Sequence, residues 1–108
     1  MPGIHEPNVI DLLTHDPVQD EYKLIMVEER PWTGAAEQLE QLREKINNYA
    51  MFVLDEGLLH SYPKAAGRPV CIQLDCVSTA PAEIQELIDL ASEGLRHYGI
   101  RFAVNRLG

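Results

Sequence analysis

From Val70 to Val77 the chain alternates without a break. Val70, Ile72, Leu74 and Cys76 fall on one side, and Cys71, Gln73, Asp75 and Val77 on the other. Successive side chains of a strand point to opposite faces, so this pattern specifies a strand with one covered face and one partly wet face. The cover has to come from elements with an apolar stripe, and such a segment flanks the strand on each side.

The first follows Trp32-Thr-Gly34. Leu39, Leu42, Ile46, Tyr49, Ala50, Val53 and Leu54 recur at steps of three and four, the spacing of one helix face. Thr33 is the expected N-cap, Glu37 and Glu40 lie where the helix dipole favours acids, and Gly57 is the expected left-handed residue past the end. Glu37, Gln38, Glu40, Gln41, Glu44 and Lys45 are expected to form the wet face. The second helix starts around Ser78-Thr-Ala-Pro81, carries Ile84, Leu87, Ile88, Ala91, Leu95 and Tyr98, and ends at Gly99. Beyond it, Ile100, Phe102 and Val104 alternate with Arg101, Ala103 and Asn105 as a last strand.

Ahead of the first helix, Val9-Ile-Asp-Leu-Leu-Thr14 and Tyr22-Lys-Leu-Ile-Met-Val27 are rich in β-formers. They are separated by His15-Asp-Pro-Val-Gln-Asp-Glu21, a turn-forming stretch that predicts a hairpin. The element order is therefore β-β-α-β-α-β. The expected fold class is α+β, a two-layer sandwich with a four-stranded mixed sheet and two helices on one face. A parallel crossover through the second helix should be right-handed, while strand order is left open. Residues 1–108 read as a single domain, a common size for one core.

The net charge of −8 is unevenly spread. Residues 1–56 hold twelve acids and four bases, whereas residues 57–108 hold five of each. This balance repels phosphate backbones and anionic membranes, so nucleic acid and membrane are not expected partners. No apolar run reaches the ~18 residues of a membrane span, and the start lacks the basic and apolar regions of a signal peptide. A cytoplasmic location is the expectation.

Cys71 and Cys76 lie in one strand, roughly 17 Å apart if extended, too far for a disulfide with each other. Cys76 reads as core and Cys71 as an accessible thiol. Without a C-x-x-C or Cys/His cluster, no metal site or cofactor is expected. Asp11 and His15 stand ~13 Å apart along a strand and, with His5 and Asp16, read as ordinary surface residues.

The segment Gly57-Leu-Leu-His-Ser-Tyr-Pro-Lys-Ala-Ala-Gly-Arg-Pro69 gathers His60, Tyr62, Lys64 and Arg68. Such groups suit an anion or a carboxylate, with Arg68 as the fork and Tyr62 as an aromatic wall; the plainer alternative is a connector that closes the core. No acid is placed to orient His60 beside Ser61, and no nucleophile elbow is present, so no catalytic residue is assigned. Carboxylate pairs such as Glu28/Glu29 and Asp55/Glu56 read as solvated element ends. Trp32 is either a staple under the helix start or an exposed binding anchor. Cys71, Gln73 and Arg101, with Val77, Ala103, Ile25 and Val27, mark the uncovered sheet face as a candidate dimer surface.

Four stretches carry a family resemblance: Asn8-Val-Ile-Asp-Leu, Lys45-Ile-Asn-Asn-Tyr, Gly57-Leu-Leu-His-Ser-Tyr-Pro-Lys-Ala-Ala-Gly-Arg, and the alternating strand ahead of Ala80-Pro-Ala-Glu. Through them nearly the whole chain resembles a family of small bacterial proteins known only as a domain of unknown function. The resemblance implies a stand-alone bacterial domain and carries over no catalytic residue. The leading expectation is a non-enzymatic interaction module, an acidic partner that masks a basic protein, or else a homodimer. The alternative is a small-molecule or anion sensor built on residues 57–69, and a minor enzyme using His60 or Cys71 is a third.

Overall fold

The computed structural model describes residues 3–6 and 8–107. Its elements are β1 (Leu12–Asp16), β2 (Glu21–Glu28), α1 (Ala36–Leu54), α2 (Gly57–Ser61), a 3-10 turn (Pro63–Ala65), β3 (Val70–Cys76), α3 (Ala82–Arg96) and β4 (Ile100–Arg106). The strands lie side by side in chain order, β1-β2-β3-β4. β1 runs antiparallel to β2, while β2, β3 and β4 are mutually parallel. This is the expected mixed α+β sheet, with one short helix added between α1 and β3.

Chain-ordered parallel strands put both crossovers in the same direction across the sheet. Right-handed crossovers then lay α1 and α3 on the same face. The core agrees: Tyr22, Leu24 and Met26 of β2, Ile72 and Leu74 of β3 and Ile100 of β4 pack in one cluster with Leu42, Ile46 and Tyr49 of α1 and Ile84, Ile88 and Leu95 of α3. Burying each large side chain contributes about 1.5–3 kcal/mol.

Several local expectations are corrected. β1 covers Leu12–Asp16, later than expected, because Asp11 turns its side chain inward rather than joining the ladder. Thr33 does not cap α1, whose N-cap is Ala35 without a side-chain bond. Instead the Thr33 N–H donates to the Gln38 side-chain carbonyl at 2.9 Å, and its hydroxyl accepts the Ala35 N–H at 3.2 Å. The left-handed residue after α1 is Glu56, at φ 66°, not Gly57. Gly57 opens α2 and is glycine for space: a Cβ there would stand 2.7 Å from the Phe52 ring. Gly99, at φ 74°, follows α3 as expected.

The largest correction concerns the supposed wet face of α1. Gln38 and Lys45 are buried, Lys45 completely. The Lys45 ammonium donates to the carbonyls of Gly3 and Glu6 at 2.7 and 2.9 Å and to Asp11 Oδ1 at 2.6 Å, which uses all three of its protons. Asp11, whose side chain is 1% exposed, is thus a core carboxylate and not a surface residue. Its second oxygen accepts the Val27 N–H at 2.9 Å. The Asp11 N–H donates to the Tyr49 hydroxyl, which in turn donates to the Ile25 carbonyl, each at 2.9 Å. The Ile4 N–H reaches the Val27 carbonyl at 3.1 Å. β1 pairs with β2 only as far as Ile25; beyond it, Asp11, Tyr49 and Ile4 satisfy backbone groups of β2 that would otherwise be bare.

Removing the cation leaves a buried carboxylate without its charge partner. Lys45→Met is expected to cost about 3–5 kcal/mol in urea unfolding, and adding Asp11→Asn should recover part of that loss. A Lys45→Met midpoint equal to that of the wild type would show that the pair does not hold the fold.

Candidate functional site

The carboxyl ends of the parallel strands hold a second polar network. Glu28 closes β2 with its carboxylate 2% exposed, against the expectation of a solvated strand end. Arg30 grips both of its oxygens, Nε to Oε1 at 2.9 Å and Nη2 to Oε2 at 2.7 Å. The Gln38 amide adds a bond at 3.1 Å, and the Arg30 N–H adds another at 2.9 Å. Burial pushes the Glu28 carboxyl up, but these donors outweigh it and hold it below the ordinary carboxylate range. Trp32 lies just beyond, half-buried against the core. Its indole N–H donates to the Ser78 carbonyl at 3.2 Å, tying the β2–α1 connection to the β3–α3 connection. Trp32 therefore acts as a clamp between two crossovers.

The sheet face opposite the helices carries Cys71, Gln73 and Arg101 together, as expected from the alternation. Arg101 crosses over β3 to Glu21, with Nη2 to Oε1 at 2.7 Å and Nε to Oε2 at 3.2 Å. Cys71 sits in register between Lys23 and Arg101 and is wholly buried, so it is not the accessible thiol expected. Burial raises its thiol above the ordinary cysteine range, partly opposed by the Arg101 charge. Gln73 donates to Asp75 at 2.8 Å. Ile25 and Val27 are each only 7% exposed. The face thus closes over its own apolar residues, while Leu12, at 48% exposure, stays uncovered at its β1 edge.

The 57–69 segment is a chain of short turns. His60 lies on α2 beside a shallow depression walled by Asp55, Glu56, Gly57 and Leu59. Tyr62 is exposed between α2 and the 3-10 turn, and Lys64 is exposed within that turn. Arg68 turns to the β1–β2 connection, where its Nε meets Asp20 Oδ2 at 2.9 Å. The other Asp20 oxygen holds His15 Nε2 at 2.7 Å, and the His15 ring lies against Tyr22 with centroids 4.6 Å apart. Among the described residues no group of three or more His, Cys, Asp or Glu side chains is arranged to hold a metal ion. No helix among them is long and apolar enough to cross a membrane.

Charge divides by layer. The outward sides of α1 and α3 expose Glu37, Glu40, Glu44, Glu83, Glu86, Asp89 and Glu93. The exposed bases there are Arg43 and Arg96, paired within the helix to Glu40 and Glu93. Lys45 brings no positive charge to this surface, because it points inward. That division was hidden in the sequence, where Lys45 reads as one more surface base.

Residues 2–107 match the model of DUF6572, a family of unknown function. The chain belongs to that family. The match spans almost its full length, as the resemblance implied, and the fold described above is that of this DUF6572 domain. No curated protein and no solved structure matches it.

Two measurements test these sites. A depressed Glu28 contributes stability that is fully present above the ordinary glutamate value of 4.5 and is lost as pH falls through its lower folded value. The melting temperature should therefore fall with acidification below that point, and Glu28→Gln should flatten the fall while costing about 1–3 kcal/mol at neutral pH. An unchanged acid profile in Glu28→Gln would assign the fall to other carboxylates. Separately, both thiols should react with a maleimide or iodoacetamide probe more slowly in the native state than free cysteine does, and at the free rate in urea. Rapid native labelling of Cys71 would revive a nucleophilic role.

Proposed function

We propose that this domain is an interaction module of the bacterial cytosol whose acidic helical layer receives a basic surface of a partner protein. The observation that supports it most is the layered charge. Seven exposed carboxylates line α1 and α3, and the two exposed arginines among them are already engaged. A field of one sign on one face raises the encounter rate with an oppositely charged surface and disfavours acidic competitors. Three of the other candidate side chains are tied within the chain: Trp32 to Ser78, Arg101 to Glu21 and Arg68 to Asp20.

An anion-sensing role for residues 57–69 has less support. Two carboxylates, Asp55 and Glu56, wall the depression beside His60. Arg68 is drawn away to Asp20.

The test is association kinetics with a partner captured stoichiometrically at low salt. The association rate should fall steeply with added salt, and the double variant Glu86→Lys, Asp89→Lys should lower it further, while Arg68→Ala leaves it unchanged. A rate indifferent to salt and to the helix charges would remove this reading. Loss of binding in Arg68→Ala alone would move the site to the 57–69 segment.

A further inference from the structure

The two edges of the sheet differ. β1 is five residues long and ends at Asp16-Pro17, a short edge stopped by a proline, which resists pairing with another chain. β4 is seven residues long, contains no proline and no carboxylate, and its two charges are turned away. Arg101 reaches back across the sheet face to Glu21, and the Arg106 guanidinium bonds the Thr79 hydroxyl. Neither guards the outer edge.

The pairing register shows which groups face outward. The Leu107 N–H donates to the Cys76 carbonyl at 2.9 Å, continuing the β3–β4 ladder by one step. In a parallel ladder every second residue turns both backbone groups to one neighbour. Arg101, Ala103 and Asn105 therefore bond β3, and Ile100, Phe102, Val104 and Arg106 present their N–H and C=O groups outward. Beside them runs a groove of about 290 Å³ between β4 and α3, lined by Ser92, Arg96, Gly99, Ile100, Arg101 and Phe102. Val104, at 44% exposure, stands on the same sheet side as Ile100 and Phe102.

We propose that the β4 edge pairs antiparallel with the β4 edge of a second copy, about a two-fold axis at Ala103. That register brings each outward residue opposite another outward residue, Phe102 against Val104 and Ile100 against Arg106, forming about eight backbone hydrogen bonds. On the helix side it sets an aromatic ring against a β-branched residue, a favourable cross-strand pair, with the groove beside Ile100 and Phe102 receiving the second copy's Val104. On the other side Ala103 meets Ala103 at the non-hydrogen-bonded position, where the two strands approach closest, and Arg101 faces Asn105. No like charges stand opposite each other, and no carboxylate is brought to the seam. The two acidic layers end on the same side of one eight-stranded sheet and remain uncovered, so this pairing is independent of the partner surface proposed above.

The test is sedimentation velocity of the full chain at high salt, where repulsion between acidic layers is screened. The wild type should be a dimer. Ala103→Lys places two ammonium groups opposite each other and should raise the dissociation constant at least about fivefold. An equal mixture of Ala103→Lys and Ala103→Glu should form the mixed dimer in preference to either homodimer. A wild type that stays monomeric at every concentration overturns the proposal, including one that instead adds a strand from a foreign protein. So does a dimer indifferent to charge at residue 103, which would use another surface. Should the charged variants fail to fold, Ala103→Cys reads the same contact, because this register brings the two sulfurs within disulfide reach. A covalent dimer under mild oxidation supports the pairing, and its absence from a folded Ala103→Cys protein overturns it.

Discussion

An ammonium group with no exposure to water is the constraint around which this fold is arranged. Desolvating Lys45 would cost several kcal/mol were it left unpaired. The chain offsets that by bringing Gly3, Glu6 and Asp11 to α1, so that two backbone carbonyls and one carboxylate converge on a single nitrogen. The same carboxylate takes a β2 amide, and the tyrosine one turn further along α1 takes a β2 carbonyl. Helix, amino-terminal segment and central strand are therefore joined by directional bonds at one point, and apolar packing fills in around it. Hydrophobic burial supplies most of the stability and fixes which face of each strand turns inward, but it does not alone choose among registers that differ by two residues. This knot does, because moving any member by one residue leaves a buried polar group bare.

What the sequence revealed and what it hid divide along this line. Period-two and period-3.6 patterns placed all four strands and both long helices, since burial of one face imposes those periods directly. The polar core is hidden in the sequence, because lysine, glutamine and glutamate at element positions are usually solvated. The spacing nevertheless held a signal. Gln38, Leu42, Lys45 and Tyr49 step by four, three and four along α1, so two polar residues fall in line with two core residues. A lysine on an apolar stripe is either a snorkelling surface residue or a buried ion with a partner. Asp11, the partner, lies 34 positions away, and nothing local marks it. Cys71 is buried against its pattern for a related reason: its face carries no helix, yet the crossing of Arg101 to Glu21 and close neighbours on both sides bury a side chain that small. Gly57 shows the third kind of blind spot, in which a glycine matching a helix stop is required for the space it leaves to Phe52.

Electrostatics and packing are separated by layer in this domain. The helices are acidic outward and mainly apolar inward, with the internal polar bonds gathered around Lys45, Tyr49 and Gln38 of α1. The sheet's other face is nearly neutral and is crossed by the Arg101–Glu21 ion pair. Such a division frees the charged layer from structural duty. Substituting an outward glutamate on α3 changes the field with little effect on the fold, so that layer is open to change under selection for partners in a way that Glu28 and Asp11 are not.

The agreement between strand order and chain order bears on synthesis. Each strand emerging from the ribosome finds its neighbour already made, and no strand must wait for one encoded later to be inserted beside it. Both halves of the polar knot, the amino-terminal segment and α1, are likewise complete before β3 appears. The ammonium can thus be sheltered early, while the apolar face of α1 still awaits the rest of its sheet. Chain order thus lets the sheet be laid down from the fastened side toward β4, like a row of planks set outward from a wall.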